Sequence, residues 1–317
     1  MITQLILHNY RSLGKKVPVT LGPLTVLVGA DGSGKGHVVD ALGFLSECSR
    51  EGLEMALSRR GGIDSLIRRS DEAGEPFDLS LSAFVRTERG FGYWEFRLSR
   101  DEGGNPFVAV ESALWQPADQ HMIHTFKVKE GQWEARLKSL EPTLARTSLA
   151  LPLVADDPRF NDLVREFRNV AMFPASPKPP SAQGEGGAFS PQSLDPTSWS
   201  PPLQSALARI VRDLDPTRGP GIIAALLQSS PLTLVGLEEA ERLVPPEALP
   251  ALHDFFRQVS QRTQVLLTTH RPEVLELLGA GEVRVVELQD GVTDLTPFVE
   301  RQREDVMRSL SAPAQSV

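Results

Sequence analysis

Residues 24–35, LTVLVGADGSGK, constrain the fold more than any other stretch of this chain. Gly29, Gly34 and Lys35 stand at the spacing GxxxxGK, directly after an apolar, strand-like run. Directly after them comes a helical pattern in which Val38, Ala41, Leu42, Leu45 and Cys48 share one face. Strand, glycine turn and helix in immediate succession let several backbone N–H groups converge on an anion, and the helix N-terminus adds partial positive charge. Gly29, Asp31, Gly32, Ser33, Gly34, Lys35, Gly36 and His37 are therefore expected to hold the phosphates of a nucleotide, with Lys35 reaching the terminal ones. Loops of this kind end in Ser or Thr, whose hydroxyl coordinates Mg²⁺. Here the position is Gly36, which has no side-chain oxygen. ATP binding is thus expected separately from hydrolysis, with Mg²⁺ placement weakened.

A second element lies 203 residues beyond Lys35, where the run 232–237 delivers Glu238 and Glu239. An apolar strand ending in two acids places one carboxylate beside the metal and one beside the attacking water. Glu238 is expected to assist Mg²⁺ through water, and Glu239 to act as general base. Thr268-Thr269-His270 ends the next strand-like run. His270 is expected near the γ-phosphate or the water, while Thr269 caps the helix that starts near Pro272. The wide separation of loop and acids speaks against a small-molecule kinase.

Around these elements the chain reads as alternating strand and helix at both ends and antiparallel strands between. Strands are expected at 2–7, 17–21, 24–28, 77–85, 91–98, 121–128, 231–235, 264–268, 283–288 and 292–298, the last two joined by the hairpin turn Gln289-Asp290-Gly291. Helices are expected at 246–263 and 272–278, and 163–170 is ambiguous between helix and strand. Residues 174–202 are rich in Pro, Gly and Ser and suggest a surface segment, with Phe189 or Trp199 as anchors if it docks a partner. The segments are thus 1–173 with the loop and antiparallel strands, 174–202 as flexible segment, 203–310 with the acidic pair, and 311–317 as tail. Trp94, Trp115 and Trp133 are read as core or interface residues rather than base-stacking platforms.

Cys48 is the sole cysteine of the 317 residues, which excludes disulfides and cysteine-based metal centres within the chain. The N-terminus carries no secretory pattern and no apolar run is long enough to span a bilayer, so a cytoplasmic location is expected. Net charge is −8, against a generally basic nucleic-acid coat, although residues 1–70 hold nine Lys/Arg against six Asp/Glu. Arg59-Arg60 and Arg68-Arg69 are the candidates for phosphate contacts, and nucleic acid is a weakly supported partner.

The order of ILHNYRSLGK, PLTVLVGADGSGKG, HVVDALGFLSE, LTLVGLEEAERLVPP and VLLTTHRPEVLELL resembles RecF/SMC/OLD-like ATPases of the ABC-type AAA family. The resemblance covers residues 1–70 and 203–298. It implies an α/β P-loop NTPase fold, an ABC-ATPase-like head with a mixed central sheet and an antiparallel β lobe, without coiled-coil arms. It also implies that Arg11, in Asn9-Tyr10-Arg11-Ser12, lies near nucleotide. Such heads pair through ATP, as homodimers or with another subunit, in DNA repair, genome maintenance or phage defence. Three departures bear on hydrolysis and pairing: Gly36, the stretch DPTRGPG (215–221) where the family has Ser-x-Gly, and AERLVPP after Glu239. Two functions follow, an ATP-hydrolysing switch or a nucleotide-binding subunit with impaired catalysis.

Overall fold

The computed structural model describes residues 1–68, 78–119, 122–134, 143–175, 199–228, 230 and 232–311. Its strands in chain order are β1 (Ile2–His8), β2 (Val17–Thr20), β3 (Leu24–Val28), β4 (Asp78–Thr87), β5 (Gly90–Arg100), β6 (Pro106–Pro117), β7 (His124–Lys129), β8 (Gln132–Trp133), β9 (Val170–Phe173), β10 (Leu234–Leu237), β11 (Gln264–Thr269), β12 (Val283–Gln289) and β13 (Val292–Pro297). The helices are α1 (Lys35–Glu51), α2 (Leu53–Ser58), α3 (Asn161–Arg168), α4 (Pro201–Ile210), α5 (Gly219–Leu227), α6 (Leu249–Val259), α7 (Pro272–Leu275) and α8 (Arg303–Ser311). They fall into two compact units interleaved along the chain. The first comprises Met1–Leu21, Asp40–Asn169 and Gln289–Asp294; the second comprises Gly22–Val39, Val170–Leu288 and Leu295–Val317.

In the first unit, period-two alternation builds a seven-stranded sheet in the order β2-β1-β4-β5-β6-β7-β8, each neighbouring pair antiparallel. Leu79, Leu81, Ala83 and Val85 of β4 are buried while Ser80 and Ser82 between them are only partly so. Trp94 and Phe96 of β5 lie opposite Ala83 and Leu81. The Trp94 ring meets Phe96 at 5.2 Å and Phe167 of α3 at 5.3 Å. Each large apolar side chain removed from water in this way contributes roughly 1.5–3 kcal/mol. Trp94 and Trp115 are core residues, as expected, and Trp133 stacks edge-on against Phe126.

The second unit carries the six-stranded sheet, in the order β13-β12-β3-β11-β10-β9, with β9, β10, β11, β3 and β12 pairing in parallel. Every residue of β3, β10 and β11 is buried, which is why these strands read as unbroken apolar runs. Val26, Val28, Val235, Leu237, Val265 and Leu267 join the apolar faces of α4, α5 and α6 in one core.

Several expectations change. Residues 163–170 are not one element, because α3 ends at Arg168 and β9 begins at Val170. The helix expected over 246–263 is a 3-10 turn (Pro246–Ala248) followed by α6, with Pro250 sitting in the first turn, where its missing N–H is harmless. Strand β10 runs Leu234–Leu237 rather than 231–235. Trp199 packs against the core of its own unit and so does not stand out as a docking anchor. Phe189, Arg69, His121 and most of 174–202 and 311–317 lie outside the described residues.

Candidate functional site

The C-terminal ends of four parallel strands bring the chemistry-bearing residues of the second unit together. Strand β3 opens into the loop 29–34, β10 into Glu238-Glu239, β11 into His270, and β9 into Pro174-Ala175. This end of a parallel sheet is where α/β folds bind ligands. The loop needs its glycines. A Cβ at Gly29 would stand 2.2 Å from the Val286 carbonyl oxygen, and Gly34 has φ of 98°, in the left-handed region. Ser33 N–H donates to Ala30 O at 3.2 Å and His37 N–H to Gly34 O at 3.0 Å, which closes the turn onto α1.

Lys35 is only 8% exposed. Its Nζ donates to Gly29 O and Ala30 O, both at 2.7 Å, so the loop folds around its own cation. Burial pushes the ammonium below its ordinary pKa, against the pull of Asp31, Glu241, Glu239 and Glu238. An anion entering here would relieve that desolvation. The cleft has a volume of about 310 Å³ and is lined by Asp31, Gly32, Gly34, Lys35, Gly36, His37, Ala175, Glu238, Glu239 and Thr268. Of the expected site residues the structure therefore brings these loop residues and both acids into one cavity. Gly29 and Ser33 are not among the residues that line it. Arg11 belongs to the first unit, where its Nε donates to Asp40 Oδ2 at 2.7 Å.

Glu238 and Gly36 are spatially complementary. A Cβ placed on Gly36 would lie 2.9 Å from Glu238 Oε1. The carboxylate thus occupies the space that a Ser or Thr side chain would need, and a hard oxygen donor stands there all the same. That donor chemistry fits Mg²⁺. Glu238 is fixed from three sides. Its Oε2 accepts from Ala175 N–H at 3.1 Å, its backbone N–H donates to Phe173 O at 2.9 Å, and its carbonyl accepts from Arg218 Nη2 at 3.0 Å.

Glu239 adopts a left-handed backbone, φ 50° and ψ 56°, which is unusual for a residue other than glycine and is concentrated at functional sites. Thr268 Oγ1 accepts its N–H at 3.0 Å, and Arg242 Nε approaches its Oε2 at 2.6 Å. His270 is partly exposed, with Nδ1 3.5 Å from Asp31 Oδ1 and 3.6 Å from Glu241 Oε1. Thr269 Oγ1 accepts from Arg271 N–H at 3.1 Å, so the hydroxyl braces the entry to α7.

Three residues here escaped the sequence reading: Ala175, Arg218 and Glu241. Arg218 also reaches Pro174 O at 3.1 Å, tying the ends of β9 and β10. Glu241 has its side chain almost wholly buried, within the stretch AERLVPP that departs from the family pattern. The stretch 215–221 behaves as a structural turn. Asp215 Oδ1 accepts from Thr217 and Arg218 N–H at 2.9 and 2.7 Å, and Gly219 N–H donates to Asp215 O at 2.8 Å. The Gly219 N–H is thus already engaged.

In the first unit two of the candidate phosphate-contacting arginines, Arg59 and Arg60, are engaged by acids of the same unit. Arg60 Nε donates to Asp40 Oδ1 at 2.9 Å, its Nη2 to Glu47 Oε1 at 3.3 Å, and Nη1 also pairs with Glu47. Arg59 Nη1 donates to Glu51 Oε1 at 2.9 Å. Among the described residues no helix is long and apolar enough to cross a membrane.

No protein-family model matches the chain, and no curated protein matches it. Solved structures do. An SMC head bound to the C-winged helix domain of ScpA aligns over 95% of this chain and 99% of its own, with a TM-score of 0.55 and 13% identity. The SMC head domain from Thermotoga maritima gives 0.46 over 94% and 99% at 14% identity. The Smc head of Pyrococcus furiosus, with an extended coiled coil and bound to the C-terminal domain of ScpA, gives 0.47 over 98% and 100% at 12% identity. The first of these likenesses gives the chain an SMC-head-like, mixed α/β fold.

Proposed function

We propose that this chain is an ATP-binding head of ABC type whose phosphate site is the cleft around Lys35. The observation that carries the reading is a buried lysine donating to two loop carbonyls at the C-terminal end of β3, with Glu238 and Glu239 lining the same cavity. Backbone N–H groups of 32–37 and the start of α1 receive the phosphates, and Lys35 turns from Gly29 O and Ala30 O towards the terminal ones. Glu238 holds Mg²⁺, which when bound neutralises charge on the β- and γ-phosphates. Glu239 accepts the proton of the attacking water once Arg242 releases its carboxylate, and His270 orients that water.

The SMC-like fold supports assembly as well. We expect the head to work as a homodimer or with another subunit, in the cytoplasm, in DNA repair, genome maintenance or phage defence. A nucleic-acid client has the least support, because Arg59 pairs with Glu51 and Arg60 with Asp40. A second reading, a nucleotide-binding subunit with impaired catalysis, is favoured by two observations: Gly36 offers no hydroxyl, and the Gly219 N–H is engaged by Asp215. Titration of purified protein with ATP, followed by a phosphate-release assay, tests both. Binding that Lys35→Ala removes supports the head. Turnover that Glu239→Gln removes selects the active form. Failure to bind ATP overturns the proposal.

A further inference from the structure

Glu241 presents a problem that the nucleotide reading leaves unsolved. Its side chain is 1% exposed, and among the described residues neither carboxylate oxygen has a hydrogen-bond partner. A carboxylate withdrawn from water without donors is strongly disfavoured unless a positive charge balances it. Lys35 Nζ is donating to Gly29 O and Ala30 O instead. The nearest cationic candidate is His270, yet its Nδ1 makes no hydrogen bond either and stands 3.6 Å from Glu241 Oε1 and 3.5 Å from Asp31 Oδ1. A proton shared along either line would draw the atoms to about 2.7–2.9 Å.

The observed spacing suits a different occupant. Two ligand atoms each about 2.0–2.1 Å from a tetrahedral cation stand roughly 3.4 Å apart. Asp31, Glu239 and His270 also bring one ligand atom apiece within 4.8 Å of one another. We propose that Asp31, Glu239 and His270 form a divalent-cation site of their own, separate from Glu238, with Glu241 behind the imidazole as its buried counter-charge. Carboxylates with one imidazole are a donor set for a borderline cation such as zinc or manganese, whereas Mg²⁺ prefers oxygen alone. The left-handed backbone of Glu239 and the 3-10 turn Ala240–Leu243 bring both glutamates to the same end of the sheet as Asp31 and His270. The site shares Glu239 and His270 with the catalytic roles above but does not rest on ATP binding.

The test uses the full chain, stripped of metal and free of nucleotide, titrated with Zn²⁺ and separately with Mg²⁺ by calorimetry. One zinc per chain is expected, bound at least about tenfold more tightly than Mg²⁺. His270→Ala and Glu241→Gln are each expected to weaken zinc by roughly 10–100-fold or more, as loss of a ligand or of the partner behind it does. His124→Ala, on β7, leaves the titration unchanged, and Cys48 is too buried to compete. Should Glu241→Gln fail to fold, His270→Ala and Asp31→Asn, both at more exposed positions, decide the matter. Absence of saturable zinc binding, or zinc binding that His270→Ala and Asp31→Asn leave intact, overturns the proposal. Zinc binding without ATP binding would sink the nucleotide reading alone, and the reverse result this one alone.

Discussion

Asp40 in the first unit and Glu241 in the second are both carboxylates largely withdrawn from water, and their surroundings differ in kind. Asp40 accepts from Tyr10 Oη at 2.7 Å, Arg11 Nε at 2.7 Å and Arg60 Nε at 2.9 Å. Burial pushes its carboxyl up, but Arg60 and Arg11 outweigh that and hold it below the usual range. Glu111 of the same unit is fully buried and accepts from Trp94 Nε1 and Leu151 N–H at 2.9 Å, and from Ala150 N–H. Among the described residues Glu241 has no hydrogen-bond donor on either oxygen, and only the His270 imidazole stands near it, at 3.6 Å. Asp40 and Glu111 use their charge to fix the first unit around them, whereas Glu241 of the second leaves both oxygens without donors among the described residues. An unsatisfied buried polar group calls for an explanation, and at Glu241 the explanation offered is a ligand.

The contrast breaks or sharpens under four substitutions. Arg60→Ala removes an arginine from Glu47 and one of two from Asp40, which keeps Arg11 and Tyr10, and is expected to lower unfolding stability by about 3 kcal/mol. Denaturant melts check this, and an unshifted midpoint would make the first unit no better stitched than the second. Lys35→Ala is expected to weaken ATP by about 100-fold, near 2.7 kcal/mol, while leaving the melt unchanged or raised. A large loss of stability there would turn the lysine into a structural residue.

Glu111 supplies a pH test. Burial pushes its carboxyl up to about 7, against the three hydrogen bonds it accepts. Its unfolded value is near 4.5, so between those pH values the folded state binds more protons than the unfolded one. Its contribution is therefore complete below about 4.5 and fades as pH rises through 7, a change of up to about 3 kcal/mol. Glu111→Gln should flatten the stability profile over that window, read from melts at successive pH values. Glu241→Leu carries the smallest change and the opposite sign to Arg60→Ala. It should raise stability by about 1 kcal/mol in metal-free buffer, since an unpaired buried charge is replaced by an apolar group. A destabilised variant would place Glu241 among the satisfied residues.

How much of this was legible in the sequence depends on whether a signal is local. The β3-loop-α1 segment was readable because each part states its own geometry: a five-residue buried strand with four apolar residues, a glycine where the backbone crowds Val286, then a helical stripe. Strand β6 was missed because Glu111 interrupts its apolar face, and a carboxylate in mid-strand looks solvated until Trp94 and 150–151 come from elsewhere in the chain. Helix α4 was hidden by composition, since Pro201 and Pro202 continue a Pro/Ser-rich stretch. Ser200 Oγ accepts Leu203 N–H at 3.4 Å, so serine followed by proline was a helix start after all. The place of Gly36 could be read as a loss, but the Glu238 oxygen that fills its space could not, because 202 residues separate the two.

The interleaving of the two units sets a timetable for synthesis. A chain emerging from the ribosome has made the first 169 residues, and most of the antiparallel sheet, before β9 exists. Yet the first unit stays incomplete until Gln289–Asp294 has been added, and β3 must wait for β11 and β12 to give it parallel neighbours. No cut at a single point separates the two units, so a nascent chain exposes the edges of β3 until β11 and β12 have been made.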